Sequence, residues 1–382
     1  METTLDLHLD PAPVAMLWRE PGVAHEAVTV PTVALAPGDA LVAIELATIC
    51  GSDVHTTQGH RGAPTPLVLG HEQVGRVVAV GPGAVTADGA PLAPGTRVVW
   101  SLTVGCGACE PCGRGLPQKC TTVRKYGHER FVPGWQLSGG FATHVHVRAG
   151  TAIVPVSPSL PAEVLAPVSC GTATAAAAID AAEQTVDLDG RVLVVFGAGL
   201  IGLTVAAMAA DRGARVVVVD PDAPRRDLAA RFGAAGVADP TLDTDSPGGV
   251  AHALGALTGG GAGSGTADGR PLVAIDASGS PRAVAAAIDL VGVGGVVVLV
   301  GSVFPSAPVA LDAESIVRRL VTIRGVHNYA PRHLETAVGF VARRHDAYPF
   351  AALVGETVAL ADLDSGIEAA AGARSVRVGV RA

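Results

Sequence analysis

Val192-Leu-Val-Val-Phe196-Gly197-Ala198-Gly199-Leu200-Ile201-Gly202 opens the stretch that decides the fold, and Arg215-Val-Val-Val-Val-Asp220 closes it. Five apolar residues read as a buried strand. The pattern G-x-G-x-x-G then turns the chain into a helix over 200–210, and a second strand follows. A strand before and a helix after are the context that turns this otherwise weak motif into a dinucleotide site. Gly197 permits the tight turn, Gly199 lets the backbone approach a pyrophosphate, and Gly202 allows close helix packing. Leu200 and Ile201 begin the helix, whose unpaired N–H groups and positive dipole end suit phosphate. Asp220, eighteen residues beyond Gly202, can accept both ribose hydroxyls and repels a 2′-phosphate. NAD is therefore expected over NADP, although Arg225 and Arg226 keep NADP open. A glycine turn in an α/β fold that binds no nucleotide is the alternative. The charge-free run from Val192 to Ala210 nearly reaches membrane-spanning length, but its glycines and the strand that follows favour strand, turn and buried helix.

Downstream, apolar strands alternate with alanine-rich helices. Pro224 to Phe232 reads as a helix, Leu272 to Asp276 and Val296 to Val300 as strands with a helix between them. That alternation implies a parallel, doubly wound sheet. The valine run Val296 to Val300 is expected at a sheet edge, where it would pair across a dimer. Gly259 to Gly265 reads as a flexible surface loop without assigned function. A helix is expected over Arg332 to Arg344, then strand-like pieces ending at Ser375 to Val380. Upstream, residues 14 to about 165 are rich in valine, proline and glycine. Short runs such as Ala40 to Glu45 and Val74 to Val80, with turn signals at Pro37-Gly38-Asp39 and Pro94-Gly95, imply a mostly antiparallel β domain. His144 and His146 share one face of a strand; they are expected to face solvent, with a role as ligands the alternative.

At 382 residues the chain is long enough for two domains with separate cores. With 49% hydrophobic and 16% charged residues it is globular. A net charge of −8 argues against a nucleic-acid partner, which needs a basic face. Met1 to Asp10 has acidic residues and no long apolar run, so no secretory signal is read there. Neither a membrane nor a nucleic acid is expected as partner, and the chain reads as cytoplasmic.

Cys106, Cys109, Cys112 and Cys120 are spaced C-x2-C-x2-C-x7-C. Two-residue gaps let successive thiolates turn toward one ion, so the cluster reads as a closed structural zinc site. Disulfides are the alternative, disfavoured because nothing else suggests an oxidising compartment. Together with Cys50-Gly51-Ser52-Asp53, Gly70-His71-Glu72 and the glycine turn, the cluster makes the chain resemble the zinc-dependent medium-chain alcohol dehydrogenases, from about Pro13 to its end.

The resemblance implies an α/β protein: a GroES-like, mostly-β catalytic domain over 1–167 with a zinc lobe at 105–121, a Rossmann NAD-binding domain over 168–327, and a return segment, 328–382, completing the catalytic domain. It implies two Zn2+ per chain and NAD. Cys50, His71 and Cys170 match the family's catalytic zinc ligands, the Cys2His set already known for alcohol dehydrogenase. Read singly, the cysteines are small buried hydrophobes and His71 a satisfied core histidine. Asp53 and Glu72 would stand behind the ligands, with Glu72 able to approach the metal. Ser52 matches the hydroxyl that takes the alcohol proton, and His55 the histidine that passes it to solvent; an exposed loop histidine is the alternative. Thr174 matches a threonine near the nicotinamide, and Arg377 one that reaches the cofactor phosphates. The segments 115–120, 124–129 and 134–140 resemble a bacterial subgroup associated with phosphonate metabolism. His60 and Arg61, between two of the implied ligands, and Arg124, Lys125, His128 and Arg130, after the cluster, would suit an anionic substrate near the presumed site, so a hydroxyalkylphosphonate is one candidate; ordinary solvated surface charge is the other reading. The implied partner is a small alcohol or carbonyl compound, and the assembly a homodimer or homotetramer. A polyol or amino-alcohol dehydrogenase, a non-catalytic nucleotide-binding protein and a zinc-ribbon nucleic-acid binder are the competing readings.

Overall fold

A computed structural model describes residues 4–258, 269–372 and 374–382; the glycine-rich 259–265 segment lies outside the described residues. The chain divides into two compact units. One comprises Met1–Ala173, Ala330–His345 and Phe350–Ala382, the other Thr174–Tyr329 and Asp346–Pro349.

The second unit is built on a six-stranded sheet in which every neighbouring pair is parallel. Its order is Gly236–Ala238, Arg215–Val219, Val192–Phe196, Val273–Asp276, Val296–Leu299 and Thr322–Gly325. Strands covered on both faces read as unbroken apolar runs, and all five residues of Val192–Phe196 are buried. The order reverses between Val192–Phe196 and Val273–Asp276, whose carboxyl ends Phe196 and Asp276 lie in register. Such a switch point is where doubly wound sheets bind ligands. The valine run Val296–Leu299 lies inside this sheet and not at its edge, contrary to expectation. Val296, Val297 and Val298 are fully buried, whereas the true edge, Thr322–Gly325, is exposed throughout. A continuous valine run marks burial on both faces, which an edge does not require.

The first unit holds a seven-stranded sheet. Ala40–Thr48 pairs antiparallel with Glu72–Val80, His144–Val147 and the C-terminal strand Arg377–Arg381. The last of these also pairs in parallel with Val354–Ala359, so the chain's end closes the sheet that its beginning started. Trp100, Tyr126 and Phe141 anchor the core, each fully buried. His146 corrects a second expectation: it is 2% exposed, and its Nε2–H donates to Asp39 at 2.8 Å. His144 is half-buried, with Nδ1 2.9 Å from Thr143 Oγ1. Strand pairing with Ala40–Thr48 takes both away from open solvent. Among the described residues, no single helix is long and apolar enough to cross a membrane.

Candidate active site

Cys50 stands in extended conformation at the start of the helix Gly51–Thr57, and Cys170 directly precedes the helix Gly171–Glu183. His71 precedes the strand Glu72–Val80. The ligand atoms of Cys50, His71, Glu72 and Cys170 lie within 4.8 Å of one another. Asp53 joins two of these segments. Its Oδ2 accepts the Cys50 N–H at 3.0 Å, and its Oδ1 lies 3.5 Å from His71 Nδ1 and accepts the Gly70 N–H at 3.4 Å. At 3.5 Å the carboxylate attracts the imidazole without a full hydrogen bond, and His71 Nδ1 is left buried without a partner. A carboxylate behind Nδ1 leaves Nε2 for a metal. Ser52 Oγ stands on the Nε2 side, 3.4 Å away.

The charges fit a cation. Burial opposes a charged His71, but Asp53 and Cys50 outweigh it and raise its pKa well above the imidazole range. A hydrogen bond from Cys170 holds Cys50 well below the thiol range, and the same bond pushes Cys170 up. Burial raises Glu72 despite Arg377. Three soft donors and a carboxylate converging in one buried spot suit zinc, with thiolate and imidazole as ligands.

Arg377 lies against the ligand cluster. Its Nε and Nη2 donate to Glu72 at 2.7 and 2.9 Å, and Nη2 lies 3.7 Å from Cys50 Sγ. Its guanidinium is engaged with the ligand cluster in the first unit, because the strand Arg377–Arg381 pairs beside Thr48.

Cys106, Cys109, Cys112 and Cys120 also converge within 4.8 Å. The short helix Glu110–Gly113 starts at Cys109, and the turn Pro117–Lys119 delivers Cys120. Backbone N–H groups of Cys106 and Thr122 donate to Cys120 Sγ at 3.2 and 3.4 Å. The Thr122 side chain and these amides lower Cys120 to about 6, while burial and the Cys109 contact raise Cys112 to about 12. All six cysteines are free thiols, so no disulfide competes for these sulfurs.

The glycine turn of the second unit fits a dinucleotide. Gly197 has φ +99°, and a Cβ on Gly202 would lie 1.8 Å from the Gly197 carbonyl oxygen. A Cβ on Gly199 would meet only open space, which leaves room beside the start of the helix Leu200–Ala210. Asp220 accepts the N–H of Ala198 at 2.7 Å and of Asp222 at 2.9 Å, each oxygen keeping a lone pair. Arg226 donates to the Asp220 carbonyl at 2.7 Å and pairs with Asp239 at 3.0 Å. Thr174 is buried in the helix Gly171–Glu183.

Residues 36–158 match the alcohol dehydrogenase GroES-like domain family, and residues 201–343 the zinc-binding dehydrogenase family. The chain is 34% identical over 306 residues to geraniol dehydrogenase of Castellaniella defragrans, covering 75% of this chain and 76% of that one. It is 30% identical to L-threonine 3-dehydrogenase of Anaeromyxobacter sp. (strain K), covering 94% and 95%. The chain belongs to the zinc-dependent medium-chain alcohol dehydrogenases. It is a zinc-dependent, NAD(P)-linked oxidoreductase acting on CH–OH groups. An alcohol dehydrogenase from Thermotoga maritima superposes with a TM-score of 0.86 over 99% of both chains, at 26% identity. A putative zinc-binding dehydrogenase from Sinorhizobium meliloti, bound to NADP, does so with a TM-score of 0.81 at 25% identity, covering 97% and 99%.

Two neighbours of the dehydrogenase's ligand cluster escaped sequence reading. Thr48 Oγ1 donates to Glu72 at 2.6 Å, because strand register sets the two opposite each other. Ser169 Oγ donates to the His71 carbonyl at 3.2 Å. Only the next-door Cys170 signals Ser169, and only the pairing register signals Thr48.

Proposed function

We propose that the enzyme oxidises an alcohol to a carbonyl compound with NAD, at a zinc held by Cys50, His71 and Cys170. The convergence of these three with Glu72 and Ser52 carries the reading. When bound, zinc supplies Lewis acidity that brings a hydroxyl's pKa toward neutrality, and the nicotinamide supplies the hydride acceptor. Ser52 Oγ takes the substrate's hydroxyl proton, and His55, in the same helix, passes it toward solvent. Asp53 keeps the His71 ring oriented. Arg377 balances Glu72 and holds it beside the ligands. Cys106, Cys109, Cys112 and Cys120 would hold a second zinc with all four ligand positions filled by protein, so that it would serve the fold.

NAD is favoured by Asp220, and Arg226 is already engaged by Asp239. The exposed edge Thr322–Gly325, with Val317 and Leu320 exposed at 71% and 70%, supports pairing with a second copy, as a dimer or within a tetramer. Six free cysteines agree with a cytoplasmic location. A hydroxyalkylphosphonate is the first substrate to try. An amino alcohol or polyol on the same scaffold is the second, favoured by the likeness to L-threonine 3-dehydrogenase across nearly the whole chain. The zinc-loaded protein should reduce NAD with at least one alcohol of a panel spanning these classes. Absence of turnover with every alcohol and with both dinucleotides contradicts the proposal.

A further inference from the structure

A cavity of about 220 Å³ opens in the first unit, walled by Arg61, Lys125, His128 and Glu129 and by apolar Leu67 and Leu69. It adjoins the ligand cluster: the His128 ring centroid lies 4.9 Å from that of His71. His128 Nδ1 lies 2.8 Å from the Tyr126 carbonyl oxygen, and Arg61 Nη1 lies 2.8 Å from His128 Nε2. Together these contacts fix the tautomer. Nδ1–H donates to the carbonyl and Nε2 accepts from Arg61, so His128 is neutral.

Arg61 therefore leans on a neutral partner and keeps its full charge. Half-buried Lys125 stands close enough for burial and Arg61 to lower its pKa. Among the described residues its ammonium makes no ion pair or hydrogen bond, and Arg61 has no carboxylate partner. Glu129 is the single acid on the wall, and its Oε1 is turned to the Lys125 backbone N–H at 2.9 Å. Two cations against one acid leave the wall positive by one charge. Keeping two like charges together in a partly dry recess is costly unless an anion joins them.

We infer that this cavity is an oxyanion subsite, in which Arg61 and Lys125 bind the carboxylate, phosphate or phosphonate of a short hydroxyalkyl substrate. The inference rests on the alcohol-oxidising reading of the neighbouring ligands and names the charge class of what they oxidise. Arg61 offers a planar fork that matches two oxyanion oxygens, and Lys125 a point charge. Leu67 and Leu69 cover the short alkyl link.

The test uses zinc-loaded, full-length protein as wild type, Arg61→Gln and Lys125→Gln, with zinc content checked for each. Calorimetric titration with methylphosphonate and with acetate reads binding without turnover. Values of kcat/KM for a hydroxyalkylphosphonate, a hydroxy acid and a neutral diol read specificity and tell which oxyanion is preferred. Saturable binding of one probe is expected, weakened at least about tenfold by Arg61→Gln. The loss of kcat/KM on the charged alcohol should exceed that on the diol by a similar factor in both variants, mainly through KM. A wild type that prefers the neutral diol, or titrations alike in all three proteins, overturns the subsite while alcohol dehydrogenation stands. Variant-sensitive probe binding without turnover of any alcohol upholds the subsite and overturns the dehydrogenase reading instead.

Discussion

Asp53 holds two ligand-bearing segments at once, through the Cys50 N–H and the His71 ring. Asn at this position keeps one hydrogen bond to the helix start but loses the charge behind His71. Asp53→Asn should weaken zinc at the catalytic cluster about 10- to 100-fold and leave the four-cysteine site untouched, as read by chelator competition. Ser52 and His55 differ in how easily they are bypassed. Ser52→Ala should nearly abolish alcohol oxidation with both zincs bound, because no solvent base replaces a hydroxyl in contact with substrate. His55→Gln should slow oxidation less, most at low pH, and added buffer bases should partly restore it. Equal losses without buffer rescue would make His55 structural. Asp39 should contribute to sensitivity toward acid. Burial opposes its charge, but the His146 and Ala149 hydrogen bonds and the nearby Arg148 hold its pKa below the usual range. A depressed carboxyl contributes stability above its unfolded pKa, about 4, which is lost as pH falls through the folded value. Asp39→Asn should cost about 1–3 kcal/mol at neutral pH, where the donors on one of its two oxygens lose their acceptor, and less at pH 3, as read by denaturant melts. Residues of this kind resist sequence reading. His146 and Arg377 were legible as types, but their partners Asp39 and Glu72 lie 107 and 305 residues away.

Elements carry their own signals unevenly. The lobe from Cys106 to Cys120 was legible because its ligands are local, and a four-residue helix and one turn bring them together. None of the residues in those two elements is buried, so metal and not core must hold the lobe. Cys109→Ser should lower thermal stability before it touches the chemistry, which melting curves and activity on the same sample will separate. The strand Val192–Phe196, the turn and the helix Leu200–Ala210 were equally plain, since a five-residue apolar run and three glycines are adjacent in the chain. Strand order was not. Val296–Leu299 has the same valine texture as the other buried strands, while the edge Thr322–Gly325 has almost none. Ile323→Lys on that edge should shift the protein to monomers in sedimentation, with the fold intact by circular dichroism.

At the scale of the molecule, the fold class was readable because texture changes along the chain, from valine–proline–glycine runs to strands alternating with alanine-rich helices. The return of the C-terminus was carried by resemblance alone. Pairing of Gly379 with Thr48 joins residues far apart in sequence, and no local pattern in Arg377–Arg381 names its partner. The same return places Arg377 against Glu72 and completes the cluster proposed as catalytic. The two groups also differ in kind: one gathers four thiolates, and the one proposed as catalytic, with Cys50, His71 and Cys170 as ligands, would keep a position open for substrate. Zinc content and NAD-linked alcohol oxidation, measured together on wild type and Cys170→Ala, decide whether that open cluster is where the chemistry happens. Two zincs per chain and turnover are expected for the wild type, and for Cys170→Ala one zinc, a retained fold and turnover reduced by orders of magnitude. Wild-type turnover in Cys170→Ala, or an active wild type with a single zinc per chain, would contradict a catalytic zinc held by Cys50, His71 and Cys170.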